Sequence, residues 1–581
     1  MFILHDHFRK VLSESLSQAI KTSFDIDFEV AKIYKLLGPT PSKDVGDIAF
    51  PLFLIAKEAK TNPALAAKTL AEKFSVLPDF ISKSLVAGPY LNFFFNHSVI
   101  AKRLLPEINS EKFFQTKLTE NSPKTMIEYS QPNTHKELHV GHMRNLCLGD
   151  SLIRLHRYSG FDIISSTFPG DVGTHVAKCL WYLKFHYKGE IPSTRKGAWL
   201  GSLYTAGNNK LEEERGTEKE ASNREQLTLI LKQLEQKSGE YFDLWKETRE
   251  WSIELMNEVY KWAGVNFDIW YWESEVDSDS VKLARKYFES GLFKEDQGAI
   301  GMDLSDYKLG FCLLIKTDGN GLYATKDIEL ARRKFQDYKI EKNIYIVDKR
   351  QELHFKQVFK ILELMGFENA KKCFHLQYDF VELPDGAMSS RKGNIVPLQA
   401  LIGNMVQMIK DLYLSRYKDS WTQDEIEKTA QMVARGAIKY GMTKIDPTKK
   451  IVFDMNEWLK LDGESGPYIQ YVHARIQSML QKIGPKQSNE IIIEASQEKE
   501  LVSLLMNFNH VVEQATENYK PSSLTSYLYD VARAYNSFYA ECPVSSSEEP
   551  TKSSRIQLSQ ATALTLKKGL ELLGIEAPER M

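Results

Sequence analysis

The chain is 581 residues long, too long for a single domain, and length alone suggests about three or four. Hydrophobic content of 43% and charged content of 26% are ordinary for a soluble, well-cored protein. A formal net charge of −2 excludes overall basicity as a sign of a nucleic-acid partner, so any such surface must be a local patch.

The segment from Met1 to Lys10 carries His5, Asp6, His7 and Arg9 and offers no apolar signal-peptide core. No apolar run reaches the ~18 residues of a membrane span. Five cysteines (Cys147, Cys179, Cys312, Cys373 and Cys542) are scattered without metal-ligand spacing. Neither a structural zinc nor a disulfide framework is expected, and the thiols read as reduced and buried in a cytoplasmic protein.

In chain order, residues 1–110 read as an α+β unit. Helical spacing covers Phe8–Ile20 and Pro63–Phe74, and turn-then-strand patterns occupy Gly46–Phe50 and Gly88–Phe95. The polar stretch Asn109–Lys124 reads as a linker. A strand at Met126–Tyr129, a Pro/Asn loop at Ser130–Leu138, a long helix ended by Ser159-Gly160 and a strand at Phe161–Phe168 predict a right-handed βαβ unit and a parallel sheet. The charged region 189–246 reads as a mostly helical insertion. Strands resume near Gly310–Thr317, Asn343–Val347 and Phe374–Val381. From Leu398 onward helical periodicity dominates, in Leu401–Tyr417, Glu425–Tyr440 and Tyr527–Ala540, with a loop at Ser545–Ser554.

Two motifs carry the chemistry. In Pro132-Asn133-Thr134-His135-Lys136-Glu137-Leu138-His139-Val140-Gly141-His142, the histidines stand three apart at a helix start, so both rings share one face of its first turn. A helix N-terminus offers free N–H groups to phosphates, Gly141 permits close approach of a nucleotide, and two imidazoles can donate to phosphate oxygens. Two surface histidines can fall at this spacing by chance, but their place after a strand and a Pro-Asn loop favours a nucleotide site. About 250 residues later, Met388-Ser389-Ser390-Arg391-Lys392-Gly393-Asn394 combines hydroxyls, cations and a glycine, which suits a loop closing on a triphosphate. Alone it is an ordinary solvated turn; paired with the first motif it gains weight.

His139-Val140-Gly141-His142 and Met388-Ser389-Ser390-Arg391-Lys392 resemble the two ATP-binding signatures of class I aminoacyl-tRNA synthetases. The second departs from its usual form: Ala387 and Ser390 stand in place of lysines, with cations at Arg391 and Lys392, while Lys136 resembles a compensating phosphate contact. Ser130-Gln131-Pro132-Asn133, Gly170–His175, Tyr323–Ile328, Gln351–Phe355, Gly463–Tyr471 and Asp530–Asn536 extend the resemblance to the arginyl family over nearly the whole chain.

The resemblance implies an α/β Rossmann-type catalytic core at 121–397, interrupted by the insertion. An N-terminal α+β added domain at 1–110 would contact the tRNA elbow, and an all-α anticodon-binding domain would span 398–581. It implies arginine–tRNA ligation with L-arginine, ATP and tRNA(Arg) as partners, Mg²⁺ borne by ATP, a monomer and no membrane contact. His139, His142, Lys136, Arg391 and Lys392 would act on phosphates, with Gly141, Met388, Ser389 and Ser390 at ATP. Arginine would meet Ser130, Asn133, His142, Glu273, Tyr323, Asp327 and Gln351. Carboxylates at Asp327 and Glu273 suit a planar guanidinium fork and would disfavour lysine. Without the resemblance, Asp327 reads as a helix cap, Glu273 as a solvated strand end and Asp171 as a turn former. Tyr468, Tyr471, Arg475 and Arg533 would serve tRNA, although tyrosines at helical spacing are often core residues.

Two other readings stand beside this one. A class I enzyme for another amino acid, or a small nucleotidylyltransferase, would share the histidine motif; the second lacks a long helical tail, and a cysteinyl-type enzyme needs zinc-spaced cysteines. A non-catalytic tRNA-binding paralogue would show a damaged first motif, whereas Asn133, His139, Gly141 and His142 are present.

Overall fold

The computed structural model describes residues 2–74, 76–383, 386–387 and 397–581. Helix α1 (His7–Phe24) begins where the Asp6 carboxylate accepts from the Arg9 N–H, and it buries Leu12, Leu16 and Ile20, one turn apart on one face. With α2 (Val30–Leu36), α3 (Phe53–Glu58), α4 (Pro63–Lys73) and α5 (His97–Asn109) it surrounds four strands, β1 (Gly38–Pro39), β2 (Ile48–Pro51), β3 (Ile81–Ala87) and β4 (Tyr90–Phe95). These form an antiparallel sheet of order β1-β2-β4-β3. Strand β3 was not expected, because its Ser-Lys-Ser stretch is largely exposed and carries no apolar run. The expected linker is packed rather than free: Phe114 and Leu118 are buried, and Phe114 meets Phe508 edge-on at 5.4 Å.

The middle of the chain begins with β5 (Thr125–Glu128), α6 (Val140–Tyr158), β6 (Ile163–Thr167) and α7 (Thr174–Phe185). Three helices follow, α8 (Lys196–Glu213), α9 (Lys219–Glu235) and α10 (Glu240–Ala263), so the charged region is helical. Next come β7 (Ile269–Trp270), α11 (Glu273–Glu289), the strands β8 (Lys294–Asp296), β9 (Ala299–Asp303) and β10 (Phe311–Ile315), and then α12 (Tyr323–Tyr338), β11 (Lys342–Asp348), α13 (Glu352–Leu364) and β12 (Cys373–Tyr378).

Five strands make a parallel sheet of order β12-β11-β5-β6-β7. It is covered on both faces, as parallel sheets are: Ile127, Ile344 and Ile346 pack with Val140 and Met143 of α6, while Met126 and Tyr345 turn to Phe335 and Phe355 on the opposite face. The strand expected at Gly310–Thr317 exists as β10, but it belongs to a separate antiparallel sheet with β9 and β8. Gly149 lets α6 lie against the sheet, since a Cβ there would run into the Tyr129 ring.

After β13 (Val381–Leu383) and β14 (Gly386–Ala387), the described chain from Leu398 on is mainly helical: α14 (Leu398–Ile409), α15 (Gln423–Thr443), α16 (Met455–Leu459), α17 (Gly466–Ile483), α18 (Ser496–Met506), α19 (Phe508–Glu517), α20 (Pro521–Glu541) and α21 (Thr551–Leu572). One short strand interrupts it, β15 (Ile451–Val452), which pairs in parallel with β13. Helix α21 begins inside the expected 545–554 loop and shortens it. Helix α6 joins the two regions. Its buried Arg144 donates to the carbonyls of Met442, Ile445 and Asp446, and its Asp150 pairs with Lys439 of α15 at 2.7 Å, both side chains buried. No helix among the described residues is long and apolar enough to cross a membrane.

Candidate active site

After β5 the chain turns through Ser130 and His135, both at positive φ, and reaches His139, the N-cap of α6. The Nδ1 of His139 accepts from the Gly141 N–H at 3.1 Å, and the Nδ1 of His142 accepts from the His139 N–H at 3.1 Å. An imidazole nitrogen that accepts carries no proton, so both neutral rings hold theirs on Nε2. Burial lowers both histidines, His139 to about 4 with help from Lys136, and His142 well below its ordinary value with help from His139 and Lys136. At neutral pH the start of the helix therefore presents two uncharged Nε2–H donors, their rings 4.0 Å apart. Lys136 lies 4.9 Å over the Tyr204 ring. Met388, Ser389, Ser390, Arg391 and Lys392 fall outside the described residues, but the chain returns from them to this turn: Pro397 bridges His139, and the Leu398 N–H donates to the Leu138 carbonyl at 3.0 Å.

At the same end of the sheet, Asn133 bridges Gly170, and the Thr134 N–H donates to the Gly170 carbonyl at 2.8 Å. A Cβ on Gly170 would run into the Asn133 amide oxygen and come within 3.3 Å of the Glu273 carboxylate, so glycine leaves room for both side chains over this loop. Glu273 is the first residue of α11 and only 6% exposed, not a solvated strand end. Burial raises it to about 7; Lys326, 3.9 Å away, pulls it down, while Asp171, Asp327 and Asp277 push it up. Lys326 also pairs with Asp277 at 3.1 Å.

Tyr323 opens α12 and is 64% exposed. Asp327 stands one turn further on and is no cap, since Leu322 holds that place; its carboxylate pairs with His354 of α13 at 2.6 Å. Burial works against a charged His354, but the Asp327 carboxylate outweighs it and raises the imidazole above its ordinary value. Glu273, Tyr323 and Lys326 line a cleft of about 240 Å³, together with Leu234, Phe242 and Trp245 of the inserted helices.

Two expected arginine contacts sit differently. Ser130 is buried, its hydroxyl paired with the Tyr260 hydroxyl at 3.0 Å and its carbonyl accepting from Thr167, so it shapes the loop. Gln351 is exposed in the short turn Lys349–Gln351 ahead of α13. Lys326 and His354 were not singled out from sequence. Helical spacing of Tyr323, Lys326 and Asp327 at i, i+3 and i+4 is a signal that finds the first; His354 needs the fold.

In the helical region a second cleft, about 560 Å³, is aromatic and basic. Tyr417 and Trp421 stack at 4.6 Å, Arg580 lies 4.6 Å over Trp421, and Arg475 lies 4.3 Å over Tyr539. Of the residues expected to serve tRNA, Tyr471 and Arg475 line this cleft. Arg533 is exposed but pairs with Asp530 at 3.3 Å, and it is not among the cleft's lining residues. Tyr468 is 8% exposed and its hydroxyl accepts from Asn536 at 2.8 Å, so it corrects the expectation: it builds the core of the region rather than its surface.

A parallel sheet with a histidine pair at the first helix N-terminus, followed by a helical region with a basic aromatic cleft, defines a class I aminoacyl-tRNA synthetase. Residues 105–455 match the family described as tRNA synthetases class I (R), catalytic domain. Residues 469–581 match the DALR anticodon binding domain, and 7–95 the arginyl tRNA synthetase N terminal domain. The chain is 53% identical to an arginine–tRNA ligase of Bdellovibrio bacteriovorus over 100% of both chains, and 33% identical to one of Treponema denticola over 93% and 94%. Among solved structures it resembles Thermus thermophilus arginyl-tRNA synthetase with a TM-score of 0.81 at 26% identity, covering 99% of this chain and 100% of that one. The chain belongs to the arginyl-tRNA synthetase family, and its reaction is the ATP-dependent attachment of arginine to tRNA(Arg).

Proposed function

We propose that the Glu273 cleft selects arginine and that the His139–His142 turn activates it. The observation that carries this reading is a buried carboxylate, Glu273, held beside Asn133 at the end of the sheet that also carries the histidine pair. Glu273 and Asp327 face the guanidinium, Tyr323 flanks it, and Asn133 holds the α-amino or carboxylate end. A buried acidic site rewards a planar fork of donors and leaves carboxylates unpaired with a wrong substrate. Gln351 keeps its proposed place as an orienting residue, and Ser130 acts through the loop it shapes.

In the first step a carboxylate oxygen of arginine bonds to the α-phosphorus of ATP as the bond to the bridging oxygen breaks, and pyrophosphate leaves with the electron pair. The Nε2–H groups of His139 and His142 donate to the phosphate oxygens as charge builds on them, and their neutrality lets them do so without an ion's desolvation cost. Lys136, Arg391 and Lys392 take the pyrophosphate, and Gly141, Met388, Ser389 and Ser390 border the nucleotide. In the second step the terminal ribose hydroxyl of tRNA attacks the arginyl carbonyl carbon, loses its proton, and AMP leaves. No protein nucleophile is needed, since positioning supplies most of the acceleration. Mg²⁺ arrives on the ATP phosphates with its own waters.

The helical domain, 398–581, binds the anticodon loop, with Tyr471 and Arg475 at the aromatic cleft and Arg533 on the exposed face of α20. The unit 1–110 contacts the tRNA elbow, and 121–397, with its insertion at 189–246, holds the chemistry. The enzyme works as a cytoplasmic monomer and activates arginine only with tRNA bound. ATP–pyrophosphate exchange with each amino acid, run with and without total tRNA, tests this. Exchange with arginine alone and only with tRNA is the expected result. Arginine exchange without tRNA removes the gating, and activity with another amino acid overturns the roles of Glu273 and Asp327.

A further inference from the structure

Asp171 has no exposed side-chain surface, and three donors converge on its carboxylate: the Ser274 N–H at 2.9 Å, the Ser274 hydroxyl at 2.7 Å and the Arg249 Nε at 2.8 Å. Ser274 follows Glu273 directly, so these contacts clamp the first turn of α11 to the loop that contains Gly170. Arg249 comes from α10, the helix that closes the charged insertion, and its guanidinium lies 4.1 Å over the ring of Trp272, the residue before Glu273. The same helix sends Trp245, whose indole N–H donates to the Asp171 carbonyl at 2.7 Å.

A fully buried carboxylate is costly unless its partners satisfy it, and here every partner either flanks Glu273 or braces the residues that do. Glu273 itself is surrounded by Asp171, Asp277 and Asp327, with Lys326 as the opposing charge and Tyr323 nearby. The contacts of Asp171 with Ser274 and of Arg249 with Trp272 pin the first turn of α11 on both sides of Glu273 and so restrict its backbone. Preorganisation of this kind lowers the reorganisation needed when a cationic substrate arrives. We propose that Asp171 and Arg249 are positioning residues for arginine selection, holding the Glu273 carboxylate in the cleft through Ser274 and Trp272. The role rests on Glu273 being the guanidinium's partner, and it gives the inserted helices a share in the amino-acid site.

The test measures the KM of arginine and of ATP separately, by ATP–pyrophosphate exchange at saturating tRNA, for Glu273→Gln, Arg249→Met, Arg249→Lys and their combinations. Arg249→Met is expected to raise the arginine KM about tenfold with the ATP KM within about twofold, and to add less than about twofold on a Glu273→Gln background. Arg249→Lys should restore part of the loss, since it keeps the cation but not the fork. An unchanged arginine KM in Arg249→Met, with a raised one in Glu273→Gln, overturns the positioning role and leaves the Glu273 reading intact. Equal increases for arginine and ATP also overturn it, because they mark a general structural role. No effect of Glu273→Gln overturns the Glu273 reading instead. If Arg249→Met does not fold, Ser274→Ala carries the test, since it keeps the backbone contact; about a threefold rise confined to arginine is expected, and no rise overturns the proposal.

Discussion

The cleft at Glu273 mixes carboxylates with lysines and buries one carboxylate, Glu273, whereas the cleft between α17, α20 and the chain's end gathers arginines and lays two of them over aromatic rings. Both belong to a chain whose formal charge is −2, and that total conceals a basic cleft at one site and a mixed-charge cleft with a buried carboxylate at the other. The difference also lies in solvent. Burial makes each contact at Glu273 strong and selective, because an unpaired charge there costs several kcal/mol. At the second cleft Arg475 is exposed, and each ring or guanidinium platform contributes only about 1–3 kcal/mol per stacked base. On the proposed reading, one cleft recognises a single small cation and the other adds up many contacts along a polyanion.

Variants can break that comparison in turn. The largest effect is expected from Glu273→Gln: removal of one charge-assisted partner from a buried site should raise the arginine KM about 100-fold while the tRNA KM stays within about twofold, read by aminoacylation kinetics. Next is pH. Glu273 must be ionised to pair with a guanidinium and burial raises it to about 7, so the arginine KM should climb toward tenfold per unit as pH falls below about 7 and stay flat above it.

Stability runs the opposite way for the same residue. Folded Glu273 keeps its proton to about 7 against 4.5 for an ordinary glutamate, so raising pH through that window weakens the fold, by up to about 3 kcal/mol. Glu273→Gln should therefore melt higher than the parent at pH 8, by calorimetry. Trp421→Ala, which removes half of a stacked pair and the platform under Arg580, should raise the tRNA KM about tenfold and leave arginine alone. The smallest effect is expected from Tyr468→Phe, less than about twofold on tRNA affinity, because its ring is packed inside.

What could be read from sequence was local. The strand, the Pro-Asn loop and the helix behind His139 follow one another within 40 residues, so their order and periodicity revealed the βαβ unit and the turn that brings the two histidines together. The helical tail declared itself through apolar spacing. What could not be read depends on contacts between distant segments. Asp171 resembled a turn former, yet it is tied to Arg249 and Ser274, 78 and 103 residues away. Trp421 and Arg580 meet only because the chain's end folds back onto the helical region. Tyr468 and Tyr471 looked alike in one helix, and only the face each occupies separates core from cleft. Strand β10 was legible as a strand but not as part of a second sheet, since pairing partners leave no mark in a five-residue run.

The most direct test of separate clefts for cation and polyanion is one matrix of KM values, for arginine and for tRNA, measured on the parent, Glu273→Gln, Trp421→Ala and the double variant. The expected result is a block pattern: Glu273→Gln moves only the arginine column, Trp421→Ala only the tRNA column, and the double variant shows the product of the two. A Glu273→Gln enzyme whose arginine KM matches the parent's, or whose two columns rise together, contradicts it.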